Sequence, residues 1–484
     1  KNPQPRFMVV AIGASAGGLA GLKTFFDNTP ADTGLAFVVV MHLAPEYQSH
    51  LPELLQTHTN MPVIQVSQTI EMSPNHVYVI PPNRNLAAID THLRLLELEE
   101  TRQQRATIDH FFRTLASAHG AEAIGVILSG TSADGSLGLK QIKELGGLTV
   151  VQDPAEAEYN SMPQNAIATG VIDLVLPVAE MPSQICDFVR VSPDLPSLEE
   201  QQNLPETEED ILQKIFVHLR THTSHDFSSY KQATIMRRVR RRMQLHQMEE
   251  LTDYLDYLRK HPEETRILFR DLLITVTNFF RDADAYAALE NLVMPQLFEG
   301  KQRENIVRVW VIGCATGEEA YSVAMLLLEQ RGRLDDPPEI QVFASDISQE
   351  ALARAREGIY PAVIAADISP ERMTRFFQEE NGAYRIKKEV REVVLFAEHN
   401  LLSDPPFSRL DLITCRNLLI YLDRDLQQQV ASTFHYALRP GGYLFLGSSE
   451  TIDGNTLFRI VDRDTRIYQA LERPRDKLPP LPRI

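Results

Sequence analysis

Cysteine is scarce in this chain. Cys186, Cys314 and Cys415 are its whole complement across 484 residues. Three scattered thiols cannot build a disulfide framework or a zinc site, and they fit a reducing, cytoplasmic compartment. No metal site is expected. Positive charge is short as well: 48 Lys and Arg face 65 Asp and Glu, for a net charge of −17. That balance argues against a general nucleic-acid binder while leaving room for a local basic patch. No apolar run approaches the roughly 20 residues of a membrane helix, so no membrane insertion is expected. No stretch with a signal-peptide pattern opens the sequence, and Lys1 stands where an initiator Met would. The sequence is therefore expected to start inside a longer chain. Its end, "RPRDKLPPLPRI", reads as a linker cut short. Internal repeats are absent. What is present is an ordinary globular mix, 43% hydrophobic and 23% charged, at a length that implies roughly two to four domains.

Residues 6–190 alternate apolar runs with helical patterns: "RFMVVAIGA", "LAFVVVMHL", "HVYVIPP", "AIGVILSG", "LTVVQD" and "VIDLVLP". Short apolar strands with helices between them predict a mostly parallel, doubly wound α/β sheet. Residues 191–210, "VSPDLPSLEEQQNLPETEED", are rich in Pro and acid and read as a linker. Residues 211–285 read as an all-helical region with "RRVRRRMQL" at its middle. Alternation returns over 286–475, in "VRVWVIGCA", "EIQVFASD", "RLDLITC" and "GGYLFLGSS", which predicts a second α/β domain.

The stretch "GASAGGLAGL" (13–22) follows the strand "FMVVAI". A dinucleotide site would need G-x-G-x-x-G and an acid at the tip of the next strand. Here Ser15 replaces the second glycine, and the next strand ends at His42. The same residues satisfy G-x-S-x-G, in which small neighbours allow a sharp strand-to-helix turn that exposes a serine hydroxyl. His42 and Asp134, each following a strand, can reach the same edge of a parallel sheet, where an acid would fix the imidazole tautomer. A plain strand-to-helix turn and a merely structural His are the competing readings. The order Ser, His, Asp is not that of the α/β-hydrolases.

In the second α/β region, "VWVIGCATGEEAYS" is a strand, a small-residue loop and a helix start. Asp346 ends the next strand, where a carboxylate can take ribose hydroxyls. A nicotinamide cofactor competes, but Glu318 and Glu319 at the helix start would repel a pyrophosphate. A ligand with a positive sulfonium and amine tolerates them. The arginines of "RRVRRR" have two readings. One is a solvated helix paired to an acidic protein. The other is a docking helix for an acidic partner, steered by charge.

The blocks "VVAIGASAGGLAGL", "VVVMHLAP", "VYVIPPN", "ILSGTSADGSLGL" and "NSMPQNAIATG" resemble, in that order, the catalytic domain of the chemotaxis methylesterase CheB. The resemblance implies a nucleophile at Ser15, a base at His42 and an acid at Asp134. The receiver domain that typically precedes this domain in the family is not in the sequence. Residues 207–475 resemble the chemotaxis methyltransferase CheR through "TIMRRVRRRM", "TVTNFFRD", "GCATGEEAYS", "VFASDIS", "EHNLL", "ITCRNLLIYL" and "LRPGGYLFLGSSE". That resemblance implies S-adenosylmethionine as cofactor and S-adenosylhomocysteine as product. It implies cofactor contacts at Thr275, Thr277, Arg281, Glu319, Asp346, Asn400, Leu401, Arg416 and Asn417, with Tyr421 near the transferred methyl. Thr275 stands where the family often has Asn. Docking is implied for the helix bearing Arg237, Arg238 and Arg241. A small β insertion is implied at 375–396, whose "ENGAYRI" turn is shorter than in members that bind a receptor-tail peptide. The expected protein is a cytoplasmic methylesterase fused to a methyltransferase, acting on glutamates of methyl-accepting chemotaxis receptors or similar acidic helical signalling proteins. The alternatives are a scaffold or sensor with inactive sites, and the same activities on a non-chemotaxis protein.

Overall fold

The computed structural model describes residues 7–41, 50–97, 106–190, 206–223, 225–273, 276–452 and 456–472. The chain divides into two units: Lys1–Asn203 with Arg237–Tyr257, and Leu204–Met236 with Leu258–Ile484. Both are α/β.

Among the described residues the first unit has ten strands: β1 (Val9–Ala14), β2 (Ala36–Met41), β3 (Val63–Gln65), β4 (Ile70–Glu71), β5 (His76–Val79), β6 (Arg84–Ile89), β7 (His92–Glu97), β8 (Ala123–Ile127), β9 (Leu148–Gln152) and β10 (Leu174–Leu176). Seven form one sheet, in the order β10-β9-β8-β1-β2-β5-β3, and every pairing in it is parallel. Each residue of β1, β8 and β9 is buried. This is why these strands read as continuous apolar runs: helices cover both faces. Strands β4, β7 and β6 form a small antiparallel sheet that the apolar-run pattern did not single out.

The rest of this unit comes from further along the chain. In the helix Gln232–Leu245, Arg238 and Arg241 are each 4% exposed. Arg241 donates to the Gly147 carbonyl and to Asp173 Oδ2, and Arg238 donates to the Glu144 carbonyl at 3.2 Å. Lys143 Nζ reaches Asp173 Oδ1 at 2.7 Å. Arg242 is buried too, and Arg237 and Arg240 are half-buried. The run is thus not an open docking face. Arg238 and Arg241 meet acceptors next to the amino ends of β9 and β10, the sheet edge opposite Ser15.

The second unit carries helices Glu206–Thr223 and Pro262–Leu273. Residues 206–210, read from sequence as the end of a linker, are helical; the described chain stops at 190 and resumes there. Among the described residues ten strands follow: β11 (Ile306–Ile312), β12 (Glu339–Asp346), β13 (Ile359–Pro361), β14 (Phe377–Glu380), β15 (Ala383–Ile386), β16 (Val394–Glu398), β17 (Leu410–Cys415), β18 (Leu438–Leu446), β19 (Phe458–Asp462) and β20 (Ile467–Ala470). The main sheet runs β16-β12-β11-β17-β18-β20-β19, with β20 antiparallel to both its neighbours. The small sheet is β13-β15-β14, turned at Asn381–Gly382, both with positive φ as a tight Asn-Gly hairpin requires. It differs from the expected 375–396 span. It recruits Ile359–Pro361, and it excludes Val394–Glu398, which pairs with β12 in the main sheet. Strand β18 begins at Leu438, and "RPGG" is thrown out as an irregularity between the Leu410–Leu438 and Leu412–Tyr443 pairs.

Asp173 generates a pH prediction. Burial alone would raise its pKa, but Arg241, Lys143 and the Thr149 amide outweigh burial and lower it to about 2 from 3.8. A carboxyl held below its unfolded value stabilises the fold above the unfolded pKa, and that stabilisation is lost as pH falls through the folded pKa. Asp173→Asn should therefore cost roughly 2–3 kcal/mol at pH 7. The gap in melting temperature to wild type should close between about pH 4 and pH 2. A gap that stays constant across that range would show that the ion pairs carry none of the stability.

Candidate active sites

Ser15 sits where β1 turns into the helix Gly18–Asp27. Gly17 takes φ 73°, and a Cβ there would lie 2.8 Å from Ser129 Oγ. Glycine thus lets the chain turn tightly against a neighbouring loop. The Ser15 amide donates to the Ser129 carbonyl (3.0 Å), and the Gly18 amide donates to the Ser15 carbonyl (2.9 Å). Ser129 is the hub of this turn: its hydroxyl donates to the Ala16 carbonyl (3.0 Å) and accepts from the Tyr159 amide (2.9 Å). Gly130 lies directly behind the serine; a Cβ there would meet Met162 Sδ at 1.9 Å and Ser15 Cβ at 2.9 Å. Sequence reasoning quoted these two residues within a block but assigned them no role. The signal was the small-residue pair directly after a strand.

Asp134 is buried. Its Oδ2 accepts from the Ile108 amide (2.9 Å) and its Oδ1 from the Asp109 amide (2.8 Å). These amides open the helix Thr107–His119, so the carboxylate sits at a positive helix end. His42 lies outside the described residues. The strand register pairs Ala14 with Met41, the residues that immediately precede Ser15 and His42.

In the second unit, the candidate residues gather at the carboxyl ends of β11, β12, β16 and β17. The loop after β11 is strained, with φ 47° at Ala315. It is pinned by Asp346: Oδ2 accepts from the Ala315 amide (2.9 Å) and Oδ1 from the Ser348 amide (2.8 Å). Burial pushes the Asp346 carboxyl up, and these backbone amides offset part of that push. Glu319, in the first turn of the helix Glu318–Arg331, is buried and accepts from Thr414 Oγ1 at 2.8 Å. Burial raises its pKa against the charges of Arg416 and Arg281 and the Thr414 hydroxyl.

Arg416 follows β17. Its side chain is fully buried, with Nη2 donating to Asp282 at 2.6 Å. The guanidinium lies 5.2 Å from the Tyr286 ring centre and 4.8 Å from that of Phe445. Its Nε and Nη1 have no hydrogen-bond partner among the described residues. Thr277 is buried and Arg281 half-buried. Asn400 Oδ1 accepts from the Leu402 amide (3.0 Å), its Nδ2 lies 3.5 Å from His225 Nδ1, and Leu401 is buried. Asn417 adopts φ 58°, and Tyr421 ends the 3-10 turn Leu419–Tyr421. Thr275 lies outside the described residues. His225 was not anticipated from sequence; burial lowers its pKa to about 4, so it is neutral at pH 7.

These features fit a zwitterionic, sulfonium-bearing ligand. Buried carboxylates with raised pKa values favour a positive charge beside them, and the orphaned donors of Arg416 call for an acceptor such as a carboxylate.

Comparison with known proteins agrees with this. Residues 275–467 match the CheR methyltransferase, SAM binding domain; residues 210–273 match the CheR methyltransferase, all-alpha domain; and residues 10–185 match CheB methylesterase. The chemotaxis protein methyltransferase of Escherichia coli is 32% identical over 253 residues, covering 48% of this chain and 84% of that protein. The putative methyltransferase Cher3 of Pseudomonas putida is 32% identical over 238 residues, with 48% and 84% covered. The chain belongs to the CheR methyltransferase family. It carries a CheB methylesterase domain fused ahead of the CheR domains, and S-adenosylmethionine is the cofactor of the CheR half. An uncharacterized 104.1 kDa protein of Rhodobacter capsulatus is 37% identical over 443 residues, 87% of this chain. The chain spans 46% of that relative's length. The Thermotoga maritima CheB methylesterase catalytic domain aligns at 26% identity and TM-score 0.36, covering 38% of this chain and 99% of that one. Among the described residues no helix is long and apolar enough to cross a membrane.

The tight seat of Ser15 gives a prediction for the CheB half. Gly130→Ala must displace either Met162 or Ser15, so it should lower ester hydrolysis by about 100-fold, the scale expected for a displacement of about 1 Å. Substrate KM should change far less than kcat. Wild-type kcat in Gly130→Ala would mean that the turn tolerates the displacement and that its packing does not set the geometry of Ser15.

Proposed function

We propose that the chain removes and adds methyl groups on glutamate side chains of chemoreceptor-type signalling proteins in the cytoplasm. In the CheB half, His42 takes the Ser15 proton as the hydroxyl attacks the ester carbonyl, and Asp134 holds the imidazole in the required tautomer. His42 then gives that proton to the departing methoxy group, so methanol leaves. Water, deprotonated by His42, attacks the acyl-serine; Ser15 recovers its proton and glutamate is released. The Ser15 and Gly18 amides are spent inside the turn, so the Ala16 amide is our candidate oxyanion donor.

In the CheR half, Asp346 is our candidate for the ribose hydroxyls, Asn400 and Leu401 for the base, and Arg416 with Glu319 for the aminoacyl end. Thr275, Thr277, Arg281 and Asn417 complete the proposed contacts. Bound S-adenosylmethionine supplies an electrophilic methyl. A glutamate carboxylate is already ionised at pH 7, so the chain needs no general base for methylation. Its work is to hold that carboxylate in line and exclude water, with Tyr421 beside the acceptor. The observation that carries the reading is the pairing of orphaned, buried Arg416 donors with buried Glu319. Docking through Arg238 or Arg241 would require their contacts with the first unit to open, so these two arginines do not support the receptor reading; the matched families do.

Two experiments test this. Ser15→Ala should lower methanol release from a methylated receptor fragment by about 1,000-fold or more and leave the melting temperature unchanged. Undiminished release would remove Ser15 as nucleophile. Asp346→Ala should weaken calorimetric binding of S-adenosylhomocysteine to the full chain by about 100-fold, since a charged acceptor of two hydrogen bonds is lost. Equal affinity in Asp346→Ala and wild type would place the ribose elsewhere.

A further inference from the structure

Arg416, Asn417 and Tyr421 share one loop, and what holds that loop is not among the residues assigned so far. Glu450 lies beneath it, 3% exposed. Its Oε2 accepts from the amides of Asn417 (2.9 Å) and Gly447 (2.7 Å), and its Oε1 from those of Leu418 (2.8 Å) and Leu419 (2.6 Å). Three of these amides lead into the 3-10 turn Leu419–Tyr421. At the other end of the turn, Lys231 Nζ donates to the Ile420 carbonyl at 2.7 Å, and the Lys231 amide donates to the Tyr421 carbonyl at 2.9 Å. Tyr230 forms a backbone bridge to Leu422.

A helical turn leaves unpaired N–H groups at its start and unpaired carbonyls at its end, so an anion suits the first and a cation the second. Glu450 and Lys231 occupy those two ends. The loop needs such holding, because Asn417 sits at φ 58° and strain of this kind persists only where the surroundings over-determine it. The segment bearing Lys231 also reaches the other cofactor loops. The Tyr230 hydroxyl lies 3.1 Å from His225 Nε2, and His225 Nδ1 lies 3.5 Å from Asn400 Nδ2.

We propose that Glu450 and Lys231 form a two-ended ionic clamp on the 417–421 turn and are positioning residues for the cofactor contacts Arg416 and Asn417 and for Tyr421. The clamp rests on the reading of Arg416 and Asn417 as cofactor contacts. Glu450 acts through buried backbone amides. Lys231 acts from an exposed position, so its removal need not disturb the core.

The test is calorimetry of S-adenosylhomocysteine on the full chain, which requires no methyl acceptor, with melting temperature measured alongside. Lys231→Met should weaken binding about tenfold at unchanged melting temperature, because a misplaced loop is penalised in binding even where the fold survives. Lys231→Arg, which keeps the charge and a donor, should bind within about twofold of wild type. Glu450→Gln should weaken binding at least as much as Lys231→Met. Wild-type affinity in Lys231→Met would overturn the clamp even if Glu450→Gln failed to fold. So would a loss that Lys231→Arg does not rescue and that tracks a fall in melting temperature, since that is a structural role alone. A wild-type chain that bound no S-adenosylhomocysteine would overturn the cofactor reading itself, a result distinct from a loss confined to the variants.

Discussion

A parallel sheet brings all of its strand-to-helix turns to one edge, and the chemistry proposed for each half of this chain lies at that edge. Ser15 follows β1 and Asp134 lies in the loop after β8; Asp346 ends β12, and Arg416 follows β17. The constraint is geometric. Parallel strands need crossover connections, and here the carboxyl ends of β1, β8, β11 and β12 each lead into a helix amino end. The turns there have free amides and carry ligands and nucleophiles at little cost. At the opposite edge of the first sheet, Asp173, Lys143 and Arg241 form a buried ionic cluster that our mechanism does not use. Binding chemistry and stabilising charge are thereby kept at separate ends of the same strands.

The two catalytic edges differ in electrostatics in the way their proposed reactions require. Around Ser15 the contacts are short side chains and backbone groups, and the acid Asp134 is already satisfied by two amides. A neutral ester can enter such a site without bringing charge into it. At the proposed cofactor site the chain buries Glu319 and Glu450 and half-buries Asp346, each with its pKa raised by burial. Burying carboxylates is costly unless hydrogen-bond donors or positive charge accompany them; backbone amides serve Asp346 and Glu450, while Glu319 calls for charge. Arg416 supplies part of it, and a sulfonium ligand supplies more. The cofactor half is thus built to be more stable when loaded, whereas the esterase half gains nothing comparable from its substrate.

Much of this was legible in the residues. The apolar runs became β1, β2, β8, β9, β11, β12 and β17, because strands buried on both faces must be apolar throughout. The turn at Ser15 and the acid at Asp346 follow from small residues at strand ends. The arginine run was left between a solvated helix and a docking helix because sequence gives charge but not partner: Asp173 lies far from Arg241 in the chain, and only folding shows that one neutralises the other. Glu450 escaped notice for a related reason. Its partners are backbone amides, which every residue has, so nothing in "GSSE" announces them. The "RPGG" irregularity in β18 was missed because Pro and Gly signal a turn and an extruded bulge equally well.

One consequence follows from having opposed activities on one chain. On the proposed reactions, methyl addition consumes cofactor and methyl removal only water, so with both sites open a shared glutamate would settle at a steady level set by the ratio of the two rates. That level is insensitive to how much of the chain is present, because addition and removal scale together. Two separate enzymes would let the mark drift with their relative abundance; a fusion fixes their ratio at one to one. A change in the mark must then come from something that acts on one site alone. Cofactor supply is one such input, since it loads the CheR half and has no role in the proposed ester hydrolysis. Substrate conformation is another, since presenting a methylated or an unmethylated glutamate selects which site can act.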